Sequence, residues 1–235
     1  MRYMRSLLVI TLTTVLFAAD SGAPSRPKVL GVAHVAIYVK DLAKARNFYE
    51  SFLGYDEPFT LPKKGSAGTR IAFAKVNDNQ YFEIFNEADR GEGQLNHISF
   101  YTDNADRMYA YLKSKGVPPM ADKGSVGKGQ TGNKNFNIKD PDGHIVEIVE
   151  YQPDSWTSGA RGKFMPDTRI SDHIMHVGVL VGDLDKSAKV YGEILGFNEF
   201  WRVVPPGHSA CPPNRRPPSP TWSGSPASDP GTGRS

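Results

Sequence analysis

Four side chains that can bind a metal ion occur at matched positions in two parts of the sequence. His34 is followed 49 residues later by Glu83, and His97 is followed 50 residues later by Glu147. Both glutamates lie in short apolar segments, where an unpaired carboxylate is costly to bury. A divalent cation removes that cost, and two imidazoles with two carboxylates form a mixed nitrogen–oxygen ligand set that suits such an ion. The matched spacing therefore predicts one divalent-metal site built from both parts.

Taken singly, each of these four residues is weak evidence for a metal site. A lone histidine in a strand is more often an ordinary core or surface residue, and a lone strand glutamate more often faces solvent. The remaining histidines are weaker candidates still: His144 follows a turn and is expected to be exposed, His173 begins a strand-like run, and His208 lies in an atypical tail.

An internal repeat indicates which elements must position the four side chains. The stretch from Gly31 to Tyr55 contains a strand-like run, Val32–Val39, and a helix that Asp41 caps and Gly54 ends. The pattern recurs without a gap 142 residues later, at His176, Val177, Val181, Asp183, Leu184, Lys186, Tyr191, Leu195 and Gly196. A weaker copy begins at His97 and ends its helix at Gly116. Such repetition predicts a modular fold.

The remaining strand-like runs complete two modules. The first module continues with Thr69–Val76 and Gln80–Asn86, and the loop Tyr55–Gly68 has room for one further strand. The second module is predicted to contain a strand at Asn96–Tyr101, a helix at Ala105–Lys115 capped by Asp103 or Asn104, and strands at Asn133–Ile138 and His144–Tyr151. Its glycine-rich loop, which includes Gly124 to Gly132, precedes no helix, so we expect a loop over a site rather than a phosphate cradle.

Composition divides the chain further. Residues 1–23 have the pattern of an export signal, with a buried N-terminal helix as the alternative, and 29–152 form a complete module pair. Residues 153–169 form a linker and 170–202 an incomplete third module. The segment 203–235 holds nine of the 18 prolines and is expected to be disordered. It indicates a truncated or frame-shifted reading frame, or else a natural proline-rich tail.

Charge and cysteine content limit the classes of partner. The net charge of +3 comes from the two ends, because residues 24–202 are about neutral, so a nucleic-acid partner is not expected. The single cysteine, Cys211, excludes a disulfide within the chain. We expect a secreted or periplasmic protein that acts on a small molecule, with no membrane attachment once the signal is cleaved; a homodimer is left open.

The motifs resemble those of the vicinal oxygen chelate superfamily, which contains glyoxalase I, bleomycin-resistance proteins and extradiol dioxygenases. The resemblance rests on the histidine-containing first strand, the Asp-Leu-x-Lys helix ending in Leu-Gly-Tyr, the Asn-His-Ile-Ser-Phe strand, and Asp-Pro-Asp-Gly-His-Ile-Val-Glu. It covers about 29–152, and 170–201 in part. It implies an α+β fold of paired βαβββ modules, with a truncated third module, whose sheet curls around a metal.

By this resemblance, His34, Glu83, His97 and Glu147 are the ligands of one divalent ion of the zinc, nickel, cobalt or manganese type. A glyoxalase I-like lyase or isomerase would use the metal to polarise vicinal substrate oxygens, passing through an enediolate-type intermediate. Glu147 would be the catalytic residue that moves the proton between carbons.

Two alternatives remain open. An exported protein meets less glutathione, and a chain with a third module resembles the extradiol ring-cleaving dioxygenases, which use two histidines and one glutamate on iron. A bleomycin-resistance-type protein would bind its ligand without metal or turnover, and its folding would be indifferent to chelators.

Overall fold

The computed structural model describes residues 24–87, 94–120 and 125–200 of the 235-residue chain. The predicted export signal in 1–23 and the proline-rich segment 203–235 lie outside the described residues. No helix in the described ranges combines the length and the apolar character needed to cross a bilayer.

The first module is a βαβββ unit. It consists of β1 (Val29–Val39), α1 (Leu42–Arg46), β2 (Asp56–Pro62), β3 (Thr69–Asn77) and β4 (Gln80–Asn86), with α1 continuing as a π-helical segment over Asn47–Phe52. The additional strand expected within the loop after the helix is β2. The predicted strands are thus confirmed, with ends that differ by at most three residues.

The ends of α1 follow from side-chain and backbone chemistry. The carboxylate of Asp41 accepts a hydrogen bond from the amide of Lys44 at 3.0 Å, which satisfies one of the free donors of the first turn. Gly54 has a φ of 77°, and a Cβ there would lie 3.0 Å from the carbonyl oxygen of Thr168. Glycine is therefore required both for the turn into β2 and for the close approach of the chain that follows the second module.

The second module repeats the pattern. Its elements are β5 (Leu95–Thr102), α2 (Ala105–Ser114), β6 (Gly127–Lys128), β7 (Lys134–Lys139) and β8 (Ile145–Glu150). Asn104 caps α2, since its side chain accepts from the amide of Arg107 at 2.9 Å. The two-residue β6 lies in the glycine-rich loop, where glycine disfavours a longer strand.

The two modules form one eight-stranded sheet in the order β2-β3-β4-β1-β5-β8-β7-β6. Within each module the first and last strands are parallel, β1 with β4 and β5 with β8, and the modules join through the antiparallel pair β1–β5. The strand order of one half mirrors that of the other, as a twofold-related pair requires. The fold is therefore the predicted α+β pair of βαβββ modules, with the sheet curled into a half-barrel.

Hydrophobic clusters hold the helices to one face of this sheet. Leu42 and Ala45 of α1 pack with Ala72, Ala74 and Ile84 on the first half. On the second half, side chains of α2 pack with those of the strands; this cluster includes Met108, Leu112, Phe136, Ile138, Val146 and Ile148, all at most 1% exposed. Because side chains alternate along a strand, the opposite face carries the polar residues of these strands together with a third apolar cluster, which includes Leu61, Ile71 and Phe73.

The segment after β8 packs against the first module. It contains the short helix α3 (Trp156–Gly159), and Trp156 lies edge-on to Phe59 of β2 with ring centroids 5.4 Å apart. The fully buried ammonium of Lys75 donates to the carbonyl of Lys163 at 2.7 Å, to Asp78 Oδ1 at 2.8 Å and to the carbonyl of Ala160. The predicted linker is thus fixed to the β3–β4 hairpin.

The third repeat forms its helix but not its strand. Helix α4 (Leu184–Ala188) is capped by Asp183 and continues as a π-helical segment over Lys189–Ile194, as α1 does after Asp41. The described residues 170–183 contain no strand. Because the third module lacks its later strands, its apolar face is expected to have no partner. For the helix this expectation is wrong, because Val190, Ile194 and Leu195 are buried in the cluster with α2. The preceding segment does remain uncovered, with Met175 79% and Leu180 92% exposed.

The Asp140–Gly143 turn fastens this helix to the second module. The carboxylate of Asp140 accepts from the hydroxyl of Tyr191 at 3.0 Å and from His144 Nδ1 at 2.8 Å. Asp142 Oδ1 accepts from the amide of Gly182 at 2.8 Å. The motif therefore makes a tight turn and also anchors the third repeat.

Candidate metal centre

Strand register brings the four predicted ligands to the junction of the two modules. In the antiparallel pair β1–β5, His34 lies opposite Ser99 and Ala36 lies opposite His97. Across the parallel pairs, Ala36 lies opposite Glu83 and Ser99 lies opposite Glu147. Residues directly opposite share a face, so all four ligand candidates point to one side of the sheet.

The side chains converge closely. His34 Nε2 lies 2.8 Å from His97 Nε2 and 2.9 Å from Glu147 Oε2. His97 Nε2 lies 3.7 Å from the same glutamate oxygen. His34, His97 and Glu147 each offer one ligand atom, and these atoms all lie within 4.8 Å of one another. These three side chains could therefore hold a divalent metal ion.

Glu83 completes the group at slightly longer range. Its Oε1 lies 3.6 Å from His34 Nε2, and its Oε2 lies 4.0 Å from His97 Nε2. All four side chains are at most 16% exposed. The structure thus brings together every residue predicted for the site, with Glu83 held more loosely than Glu147.

The electrostatics of the site couple these groups. Burial by itself would raise the pKa of Glu147, but hydrogen bonding and charge from His34 and His97 hold that pKa well below its usual range. Burial lowers the pKa of His34, yet Glu83 and Glu147 outweigh it and leave that pKa above its usual 6.5. Glu147 is consequently an ionised carboxylate at neutral pH.

Two asparagines orient the ligands. Asn135 of β7 donates through Nδ2 to Glu147 Oε1 at 2.6 Å, which leaves Oε2 directed at the imidazoles. His97 Nδ1 lies 3.0 Å from Asn96 Oδ1. When Nδ1 of His97 carries the proton and donates to Asn96 Oδ1, the lone pair on Nε2 is free to bind a cation.

The donor set fits a divalent ion. Two imidazoles and two carboxylates occupy one buried point, and in the described part of the chain neither Glu83 nor Glu147 has an ion pair with lysine or arginine. Two carboxylates so placed require a positive charge, and imidazole and carboxylate are the ligands that zinc, nickel, cobalt, manganese and iron accept. His34, His97 and Glu147 would hold the ion, with Glu83 beside them.

The cluster forms the floor of a cavity of about 460 Å³. Apolar side chains, among them Leu61, Phe73 and Phe85, form its walls, and the loop Lys128–Thr131 lies at one side. Thr157, from the segment predicted as a linker, also lines it. This size falls within the range of roughly 300 to 1,000 Å³ that is typical of small-molecule sites. Part of the glycine-rich loop thus lines the cavity; residues 121–124 of it are outside the described residues.

Other histidines do not reach the site. His144 was expected to be exposed, but it is half-buried because Asp140 binds its Nδ1. His173 pairs with Asp172 at the surface and begins no strand, and His176 is exposed. His208 lies outside the described residues.

Sequence reasoning missed the residues that support the ligands. Asn135 and Asn137 alternate along β7 with the buried Phe136 and Ile138. Polar residues at alternate positions of an otherwise apolar strand indicate that one face lines a polar site, and this signal could have identified Asn135. Tyr81 and Arg70 were also not singled out as site residues, although both line the cavity.

Comparison with known proteins identifies a family with this fold. Residues 31–148 match the model of the Glyoxalase/Bleomycin resistance protein/Dioxygenase superfamily. Among curated relatives, a lactoylglutathione lyase of Arabidopsis thaliana is 23% identical over 180 residues, covering 74% of this chain and 57% of the relative. A 4-hydroxyphenylpyruvate dioxygenase of Yarrowia lipolytica is 23% identical over 209 residues, covering 74% of this chain and 50% of the relative. The chain thus spans somewhat more than half the length of the lyase.

Similarity to solved structures is limited. The methylmalonyl-CoA epimerase of Mycobacterium tuberculosis is 22% identical and aligns with a TM-score of 0.45, covering 55% of this chain and 93% of the epimerase. The match of the superfamily model extends over both modules and includes all four ligand candidates, with two of the four ligand strands, β4 and β5, in full. The chain belongs to the Glyoxalase/Bleomycin resistance protein/Dioxygenase superfamily.

Proposed function

We propose that this protein is a divalent-metal-dependent enzyme that moves a proton between carbons of a small oxygenated substrate, as a glyoxalase I-like lyase or isomerase. The observation that carries the proposal is the convergence of His34, His97, Glu147 and Glu83 on the floor of a cavity of small-molecule size. A zinc, nickel, cobalt or manganese ion bound there supplies a Lewis acid for vicinal substrate oxygens.

Glu147 is the residue that we propose takes and returns the proton. Its carboxylate is ionised, and Asn135 fixes Oε1 so that Oε2 has one orientation. A positioned carboxylate of this kind contributes about 10² to 10⁴-fold to a proton-transfer rate. The apolar walls at Leu61 and Phe73 exclude water from the substrate's reacting carbons.

A ring-cleaving dioxygenase is the second candidate. His34, His97 and Glu147 lie closest together, and two histidines with one carboxylate are the ligand set of non-haem iron oxygenases. In that case Fe(II) would be the metal and a catechol the substrate. A metal-free ligand-binding protein of the bleomycin-resistance type is less favoured, because it would leave two buried carboxylates without a cation.

The test is an assay of the full chain, loaded separately with zinc, nickel and iron(II), on the hemithioacetal of methylglyoxal and glutathione and on catechol. We expect isomerisation of the hemithioacetal, lost in Glu147→Gln. Ring cleavage of catechol without activity on the hemithioacetal would replace the first candidate with the second. A protein that binds no metal and unfolds identically with and without chelator would contradict both.

The partners and the cellular location that we propose rest on the sequence alone. We propose a small-molecule substrate, no nucleic-acid or membrane partner, and a secreted or periplasmic location that depends on residues 1–23. A homodimer remains open.

A further inference from the structure

Two polar groups at the cavity have no hydrogen-bond partner within the described residues. The hydroxyl of Tyr81 is buried and unpartnered, and Tyr81 as a whole is only 2% exposed. The Nε of Arg70 is also buried and unpartnered. Both residues line the cavity above the metal centre. Buried polar groups in folded proteins are nearly always satisfied by protein, ordered water or ligand, so these two groups are placed to bind a ligand that enters the cavity.

Arg70 is held in place for such a role. Its Nη2 donates to Gln130 Oε1 at 2.6 Å, and Gln130 belongs to the loop beside the cavity. Gln130 is neutral, so this contact fixes the guanidinium without cancelling its charge. A planar guanidinium with a free Nε suits a planar anion with two oxygens, which is the geometry of a carboxylate.

The charges around the cavity favour an anion. Lys64, Arg70 and Lys128 line it, and of these Lys128 is paired with Asp154 at 2.6 Å. The two acidic side chains that line it, Glu83 and Glu147, belong to the metal centre. A divalent ion at that centre would balance the two carboxylates and would leave the rest of the cavity with an excess of positive charge.

Tyr81 brings a hydroxyl group to the same cavity. It lies two residues before Glu83 on β4, hence on the same face of the sheet. Its phenolic hydroxyl has no hydrogen-bond partner among the described residues, and a phenol can both donate and accept. It can therefore donate to a ligand oxygen.

We propose that Arg70 binds a carboxylate of the substrate and that Tyr81 donates to a second substrate oxygen, so that the protein selects small carboxylic acids with an apolar body. This inference rests on the proposed function, because it assigns the substrate class of the same cavity. Arg70 is then a specificity-determining residue, and the apolar walls at Phe73 and Phe85 bind the carbon skeleton.

The experiment compares two ligands of nearly the same shape. The probes are 3,4-dihydroxybenzoate, which has adjacent oxygens for the metal centre and a carboxylate for Arg70, and its methyl ester, which lacks the negative charge. Each is titrated by calorimetry into the zinc-loaded full chain, into Arg70→Ala and Arg70→Lys, and into Lys113→Ala. Lys113 is exposed on α2, away from the cavity, so this variant controls for the loss of one positive charge.

We expect Arg70→Ala to weaken binding of the acid by roughly 10- to 100-fold, as for a lost charge-assisted hydrogen bond, and to leave the ester nearly unchanged. Arg70→Lys should recover part of the lost affinity, because it restores the positive charge but not the planar set of N–H donors of the guanidinium. Lys113→Ala should match the wild type. Equal effects of Arg70→Ala on both probes, or no binding of the acid to metal-loaded wild type, would overturn the proposal.

Tyr81→Phe provides a second, independent measurement. Removing a hydroxyl that has no partner in the ligand-free protein should leave the thermal unfolding midpoint unchanged or raise it, whereas binding of the acid should weaken by about three- to tenfold. A lowered midpoint with unchanged binding would contradict the role of Tyr81.

Zinc content, measured on every variant, separates the two proposals. Absence of stoichiometric zinc from the wild type would contradict the proposed function, whereas normal zinc content without discrimination between the two probes would contradict this inference alone.

Discussion

The Nε2 atoms of His34 and His97 lie 2.8 Å apart across the junction of the two modules. The two histidines come from β1 and β5, the antiparallel pair that joins the halves of the sheet, and each lies opposite a small residue, Ser99 and Ala36 respectively. These small side chains are fully buried and leave room for the imidazoles and for the glutamates of β4 and β8. The site therefore exists only where both modules are paired.

Loss of a ligand should abolish metal binding. We expect about one divalent ion per chain in the wild type, and essentially none in His34→Ala or Glu147→Ala, because each removes a donor from the most compact part of the site. Glu83→Gln should weaken binding less, since Glu83 lies farther from the imidazoles. Elemental analysis of purified full-length protein measures this. Stronger loss in Glu83→Gln than in Glu147→Gln would assign the main carboxylate ligand to Glu83.

Asn135 should affect metal affinity without contacting the metal. Asn135→Ala removes the hydrogen bond to Glu147 Oε1, and outer-shell changes of this kind typically cost about 10- to 100-fold in affinity. Competition with a chromophoric chelator gives the dissociation constant. Asn137→Ala is the matched control, because Asn137 lies two residues along the same face of β7. Equal losses in both variants would indicate a general effect on the strand.

Lys75 should stabilise the fold rather than the chemistry. Lys75→Met leaves the carbonyls of Ala160 and Lys163 without their donor and should lower the free energy of unfolding by about 2 to 4 kcal/mol. Urea denaturation of the metal-free protein provides the measurement. Lys44→Met, at an exposed lysine, should remain within about 0.5 kcal/mol of wild type. Similar stability of the two variants would show that the segment after β8 is not held by Lys75.

Asp140 should make stability depend on pH. Burial raises the pKa of this carboxyl, but hydrogen bonds from His144 and Tyr191 outweigh burial and lower the pKa below its usual 3.8. A lowered pKa in the folded state means that the carboxylate stabilises the protein above this usual, unfolded-state pKa, and that the contribution is lost as the pH falls through the folded-state value. Asp140→Asn should cost about 1 to 3 kcal/mol at pH 7, and the difference should shrink below pH 4.

Urea denaturation between pH 3 and pH 7 tests this dependence. Asp106→Asn is the control, because Asp106 forms an exposed pair with Lys134 and should change stability little at any pH. A difference between wild type and Asp140→Asn that stays constant over the whole pH range would show that the hydrogen bonds of Asp140 do not depend on its charge.

The sequence by itself determined the modules and their ligand candidates. Matched spacing of His34 with Glu83 and of His97 with Glu147 requires two equivalent strand positions, and Asp41, Gly54 and their repeats mark the helix ends through local chemistry. Such signals depend on neighbours along the chain, so they can be recognised without a structure. The metal role of the four residues and the catalytic role of Glu147 remain predictions.

Tertiary structure alone decided which residues meet at the site from distant parts of the chain. Asn135 reaches Glu147 because of the β7–β8 register, and Thr157 reaches the cavity because Lys75 fixes the segment after β8. The third repeat formed its helix, since Asp183 caps it locally and α2 offers an apolar surface, but no strand formed over 170–183. A helix satisfies its backbone hydrogen bonds within itself, whereas a strand needs a neighbouring strand, which local sequence cannot supply.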